Sequence, residues 1–165
     1  MELLDHTTEW VKGEVFQGKI MLAIGILLLI GGVAILKSDH EILKGTLIPL
    51  GLILLLILGY GAMQVFSRPG HVTKVSQVLA ENPQDALEQE YNKAMKDDKI
   101  YSTLKIVWSI LIVIAAGLYL LFPSSSHYLK GLAIGLIGLF LTVLVVDSVL
   151  HYRLSIYLKA INGLM

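Results

Sequence analysis

Four long apolar blocks dominate this chain, and they leave it few ways to fold. Ile20–Leu36 is a run of 17 apolar or glycine residues bounded by Lys19 and Lys37. At 1.5 Å per residue such a helix covers roughly 25 Å, near the lower limit for crossing a bilayer. Thr46–Phe66 is longer and is broken only by Gln64 near its end. Ile106–Phe122 and Gly131–Leu150 follow, the last with Asp147 late in it. A backbone in lipid must satisfy its own hydrogen bonds, so each block reads as a transmembrane helix. No series of short alternating segments offers a β-barrel instead. The expected fold is an all-α membrane protein, a four-helix bundle of two tandem hairpins with amphipathic leader helices.

Composition agrees. Hydrophobic residues make up 55% of the 165, mean hydropathy is +0.72, and only 16% are charged. The absence of cysteine excludes disulfides, thiolate metal sites and cysteine nucleophiles. Net charge is zero, and no basic domain points to nucleic acid. The first block follows a leader with four acids, Glu2, Asp5, Glu9 and Glu14, which is unlike the basic start of a cleavable signal.

The connections are unequal. Lys37–Gly45 and Pro123–Lys130 are short and join antiparallel neighbours, whereas Ser67–Lys105 is long and polar. Ten Lys or Arg residues fall on the side of the termini and central segment, against three (Lys37, Lys44 and Lys130) on the other. The positive-inside rule then predicts cytoplasmic N- and C-termini. Residues 1–68 form a first leader and hairpin, and residues 69–165 a linker or helix with the second hairpin, within one membrane domain.

The halves look alike at a shift of 86 residues. Lys19 meets Lys105, Gly31 meets Gly117, Ser38 meets Ser124, and Leu43-Lys44-Gly45 meets Leu129-Lys130-Gly131. Both halves start on the same side, so the expected symmetry is a parallel repeat about the membrane normal. A leader precedes each hairpin. In the first, Leu4, Val11 and Val15 share a helical face beside Trp10, which predicts a helix lying at the inner interface. In the second, Asn82 caps and Pro83 suits the first helical position, with Leu87, Tyr91, Ala94 and Met95 on one face.

Small residues let helices approach closely in lipid. The fourth span aligns Gly131, Gly135, Gly138 and Thr142, and the first places Gly18, Gly25 and Gly32 at steps of seven. Ser102, Ser109 and Ala116 do the same in the third. These faces are expected to pack within the chain. Asp147 is the one acid inside a span, and His151, one turn on, makes an Asp-x-x-x-His pair. Its chemical readings are a proton relay or half a metal site; the plainer reading is a hydrated interfacial pair, with Arg153 near. Two ligands on one helix do not make a metal site. His40 and His127 sit in matching outer loops and are expected to be solvated loop residues. No Walker loop, dinucleotide fingerprint or zinc-protease motif is present, so no cofactor, metal or catalytic residue is assigned.

Trp10-Val11-Lys12-Gly13-Glu14-Val15-Phe16-Gln17-Gly18-Lys19 resembles the start of uncharacterised small four-span bacterial membrane proteins. The resemblance implies a bacterial inner-membrane setting and brings no activity or functional residues with it. The functional expectation is a non-enzymatic accessory, scaffold or immunity-type subunit that contacts the lipid bilayer and a membrane-protein partner or a second copy. The alternative is a small oligomeric channel or carrier, which mid-membrane polarity, chiefly Thr142 and Ser109, serves poorly.

Overall fold

Each apolar block lies inside a helix longer than the block. The computed structural model describes residues 2–165, which form α1 (Glu2–Leu36), α2 (Glu41–Phe66), α3 (Pro69–Glu81), α4 (Pro83–Leu121) and α5 (His127–Asn162). Four of them, all but α3, are long and apolar enough to cross a membrane, as expected of a multi-pass membrane protein. Their lipid-facing surface is apolar: Leu27, Ile30, Leu55, Val113, Leu120 and Leu121 are all exposed.

The first leader is not a separate helix lying in the interface. It continues into the span as one 35-residue helix. No proline interrupts it, and its glycines are held by packing: Gly13 lies against the Arg153 side chain and Gly18 against Gly61, Gln64 and Val65. The buried face is Leu3, Thr7, Trp10, Val11 and Glu14, one residue round from the expected Leu4 face. The second leader starts as the sequence predicts. The Asn82 side chain accepts from the amides of Gln84 and Asp85, Pro83 follows, and the helix runs unbroken for 39 residues to Leu121, just before Pro123. The helix α3 was not expected. It starts on Pro69 and turns Val72, Val75, Val78 and Leu79 inward.

Two zones result. At the end carrying both termini, α3 and the polar extensions of α1, α4 and α5 enclose a core of Leu3, Trp10, Val11, Val75, Ala86, Ala94, Leu154, Tyr157 and Ile161. In the apolar zone, α2 and α5 pack together at the centre, with α1 on α2 and α4 on α5. At the loop end the central pair touch backbone to backbone. A side chain on Gly131 would overlap the Ile42 carbonyl, and one on Gly45 would overlap the Tyr128 carbonyl. One turn further on, Gly135 seats Pro49, whose ring lies 2.8 Å from where a Cβ would sit.

The expected small faces are therefore packed in part. Gly131 and Gly135 meet α2, Gly25 lies against Leu58, and Gly32 faces Leu50. Gly138 has open space instead, with no atom within 4 Å of where a Cβ would sit. Thr142 turns its hydroxyl back to the Gly138 carbonyl. In α4, Ser109 is exposed and shares an outward shallow groove with Ser102; Ala115, 1% exposed, is the small residue that packs.

Candidate functional site

The polar residues collect where the two zones join. Trp10 on α1 stacks on Tyr157 of α5 with ring centroids 4.7 Å apart, and His71 of α3 meets the same indole edge-on at 5.8 Å. Around them runs a chain of hydrogen bonds. The Tyr157 hydroxyl donates to Glu90 Oε2 at 3.0 Å, and His71 Nε2 donates to the same oxygen at 2.9 Å. Lys93 Nζ approaches His71 Nδ1 at 3.3 Å. Thr7 Oγ1 lies 2.9 Å from the Tyr157 hydroxyl and 2.8 Å from the Leu3 carbonyl. Burial alone would raise the Glu90 pKa, but the His71 bond and charge, Lys93 and the Tyr157 bond together hold it below the ordinary value. Burial pushes the Tyr157 hydroxyl up.

Beside this chain, Arg68 in the α2–α3 turn pairs with Glu14 and lies over the Trp10 ring, 5.1 Å from its centroid. Glu14 is 2% exposed. Burial raises its pKa, and Arg68 pulls in the opposite direction without cancelling the effect. The Gln64 side chain nearby is fully buried, and its amide has no protein partner.

Next to Arg68 a cavity of about 410 Å³ opens between α2, α4 and α5. Its floor reaches into the apolar zone at Ile53, Leu56, Thr142 and Val143. Its other end carries Arg68, Asp97, Tyr60, Tyr101, Trp108 and Asp147. The wall from α4 is Asp97, Ile100, Tyr101, Leu104 and Trp108, a single helical face about 16 Å long. Met21 is the contribution of α1. The helices α2 and α4 scarcely touch, so the cavity opens sideways between them. Leu56 and Ile100, 50% and 45% exposed, stand at that opening. The hydroxyls of Tyr60 and Tyr101 meet across it at 3.3 Å. Trp108 Nε1 donates to Asp147 Oδ2 at 2.7 Å, tying α4 to α5.

The expected Asp147–His151 pair does not form. Asp147 turns into the cavity toward Trp108. His151 instead bonds Asp98 Oδ1 at 2.7 Å through Nε2 and receives Lys105 Nζ at Nδ1, with Tyr101 stacked near it. Arg153 extends over Gly13 rather than toward Asp147. One turn on a helix brings two side chains to neighbouring positions, but α4 supplies each with a better partner. Four residues of this site, Tyr60, Arg68, Asp97 and Tyr101, had no signal in sequence beyond being polar or aromatic near a span end. His40 and His127 do share a shallow groove in the loops with Asp39 and Glu41. Among the described residues, however, no three His, Asp or Glu side chains are placed to hold a metal.

No family model matches the chain, and no curated protein or solved structure matches it.

Proposed function

We propose that this protein is a non-enzymatic component of a bacterial inner membrane, an accessory or scaffold subunit with cytoplasmic termini, and that it works by binding at the cleft between α2 and α4. The observation that carries this reading is the cavity itself. It has the size of ligand sites, is mostly apolar, and has convergent polar groups at one end. The titratable side chains next to it are committed to one another, Glu14 to Arg68, Glu90 to His71 and Tyr157, and His151 to Asp98 and Lys105, while of the two carboxylates in its wall Asp147 accepts from Trp108 and Asp97 is unpaired among the described residues. That pattern suits a rigid binding frame better than a reaction centre, which needs a poised nucleophile or base. The channel or carrier reading is weaker. Beyond Thr142 the way to the loop end is occupied by the apolar cluster around Leu139, Leu136 and Phe140.

The reading also takes the two hairpins as copies of one unit. The α2–α5 contact supports this by its reciprocity: Gly45 meets Tyr128, and Gly131 meets Ile42. Residues 42 and 128, like 45 and 131, are 86 apart, as an approximate two-fold axis between α2 and α5 requires.

A photoreactive residue at Leu56 or Ile100 tests the cleft in living cells. A discrete adduct there, lipid or protein, and none from Val113 on the outer face of α4, is the expected result. The same diffuse labelling from all three positions would mean that the cleft holds nothing. Cysteines placed at Ser76 and Ser125, both exposed, test the orientation. An impermeant thiol reagent should label the second and spare the first.

A further inference from the structure

The charge of the cavity indicates what it takes. Two carboxylates, Asp97 and Asp147, line it against one guanidinium, that of Arg68. Arg68 is already engaged by the buried Glu14 and covered by Trp10. Asp97 has no hydrogen-bond or ion-pair partner among the described residues, and Asp147 uses only one of its oxygens. The uncommitted groups facing the space are therefore acceptors and aromatic faces, in a site with surplus negative charge. Carboxylates beside Tyr and Trp rings recognise an ammonium, by Coulomb attraction and by the ring quadrupole. An anionic head would meet both carboxylates and find its one cation occupied.

The rest of the cavity sets the remainder of the ligand. From the polar end it runs along Leu104 and Val146 to Ile53 and Leu56, which lie deep in the span of α2. A molecule with its head at Asp97 and Asp147 would lay an apolar tail into the bilayer level and out through the side opening. We infer that the cavity binds amphiphilic cations: an amine or quaternary ammonium head on an apolar tail. This rests on the cleft being a binding site, and it names the class of ligand. The ammonium can belong to a free amphiphile or to the headgroup of an aminophospholipid; both present the same chemistry to the two carboxylates.

Three forms of one fluorophore separate charge from greasiness. Diphenylhexatriene, its trimethylammonium derivative and its propionate anion would be titrated into the full chain in phosphatidylcholine nanodiscs, reading energy transfer from tryptophan. The cationic form should show saturable transfer, displaced by dodecyltrimethylammonium, while the other two rise linearly as they partition into lipid. Asp97→Asn and Asp147→Asn, on different helices and each checked for helicity, should weaken the cation at least about tenfold, as loss of a desolvated charge partner does. Saturable binding of all three forms with equal affinity would leave the cleft as a site and overturn the cationic selectivity. So would full affinity in both Asn variants. Saturation by none of them would overturn the cleft as a site for amphiphiles altogether. Repeating the titration in phosphatidylethanolamine nanodiscs assigns the source. Loss of the saturable signal there supports the lipid headgroup, and its persistence supports a free amphiphile.

Discussion

At the loop end, α2 and α5 touch backbone to backbone through Gly45 and Gly131; toward the end bearing the termini, the same two helices hold a cavity between them. Both regions have to solve one problem, since lipid gives helices no hydrophobic reason to associate. The loop end solves it with absent side chains, so that main-chain atoms gain dispersion contacts directly. The other end solves it with hydrogen bonds between large side chains that run through α4, Trp108 to Asp147 of α5 and Tyr101 to Tyr60 of α2, which tie the helices while keeping them apart. Small residues thus close the structure, and large polar ones keep part of it open.

The greatest expected effect lies at the closed end. Gly131→Leu drives a branched side chain into the Ile42 carbonyl, and the helices must separate. Overpacking of this kind should cost about 3 kcal/mol or more, read as a collapse of the melting temperature in detergent. Gly138→Leu, two turns along the same face but with open space before it, should stay within about 0.5 kcal/mol of the wild type. Equal losses in the two variants would dissolve the contrast between the ends.

A middle effect belongs to the polar zone. Glu90→Gln weakens the acceptor shared by His71 and Tyr157, an expected loss of about 1–3 kcal/mol at neutral pH. The folded pKa of Glu90 lies below its ordinary 4.5. Its contribution is therefore present above the unfolded value and fades as pH falls through the folded one. The stability gap between wild type and variant should narrow under acid, below pH 4.5. A gap that stays constant from neutral to acid pH would detach Glu90 from the ionised state assigned to it.

The smallest effect is at Asp147. Asparagine keeps an oxygen for the Trp108 indole, so Asp147→Asn should lose no more than about 1 kcal/mol in stability. A much larger loss would make the carboxylate a structural anchor and show that the open end depends on charge as strongly as the closed end depends on glycine.

The spans were legible because lipid imposes a length and an apolarity that no other environment demands. The Asn82-Pro83 start was legible because capping is local chemistry. Gly131 and Gly135 could be read as contact residues because their spacing places them on one face, yet the same spacing put Gly138 there with nothing opposite it. Spacing gives a face, not the path of the neighbouring helix. Asp147 stood out as the one acid within a span, but its partner could not be read: Trp108 lies 39 residues away and meets it only through the tertiary crossing of α4 and α5. His151 found Asp98 in the same way, 53 residues distant. The polar zone at the end bearing the termini was the least legible part. Its core alternates Trp, Thr, Glu and Tyr among aliphatic residues, and that mixture also suits a solvated helix at a membrane surface.

The glycine crossing has a mechanical side. A contact that fixes two rods near one end is a fulcrum, and every small rotation there is magnified in proportion to the arm. From Gly45 to the end of α2 at Phe66 the arm is about 31 Å, so a tilt of about 4° displaces the far end by about 2 Å. The far end is therefore tied a second time: Gly61 of α2 lies against Gly18 of α1, and the Tyr60 hydroxyl bonds that of Tyr101 on α4 at 3.3 Å.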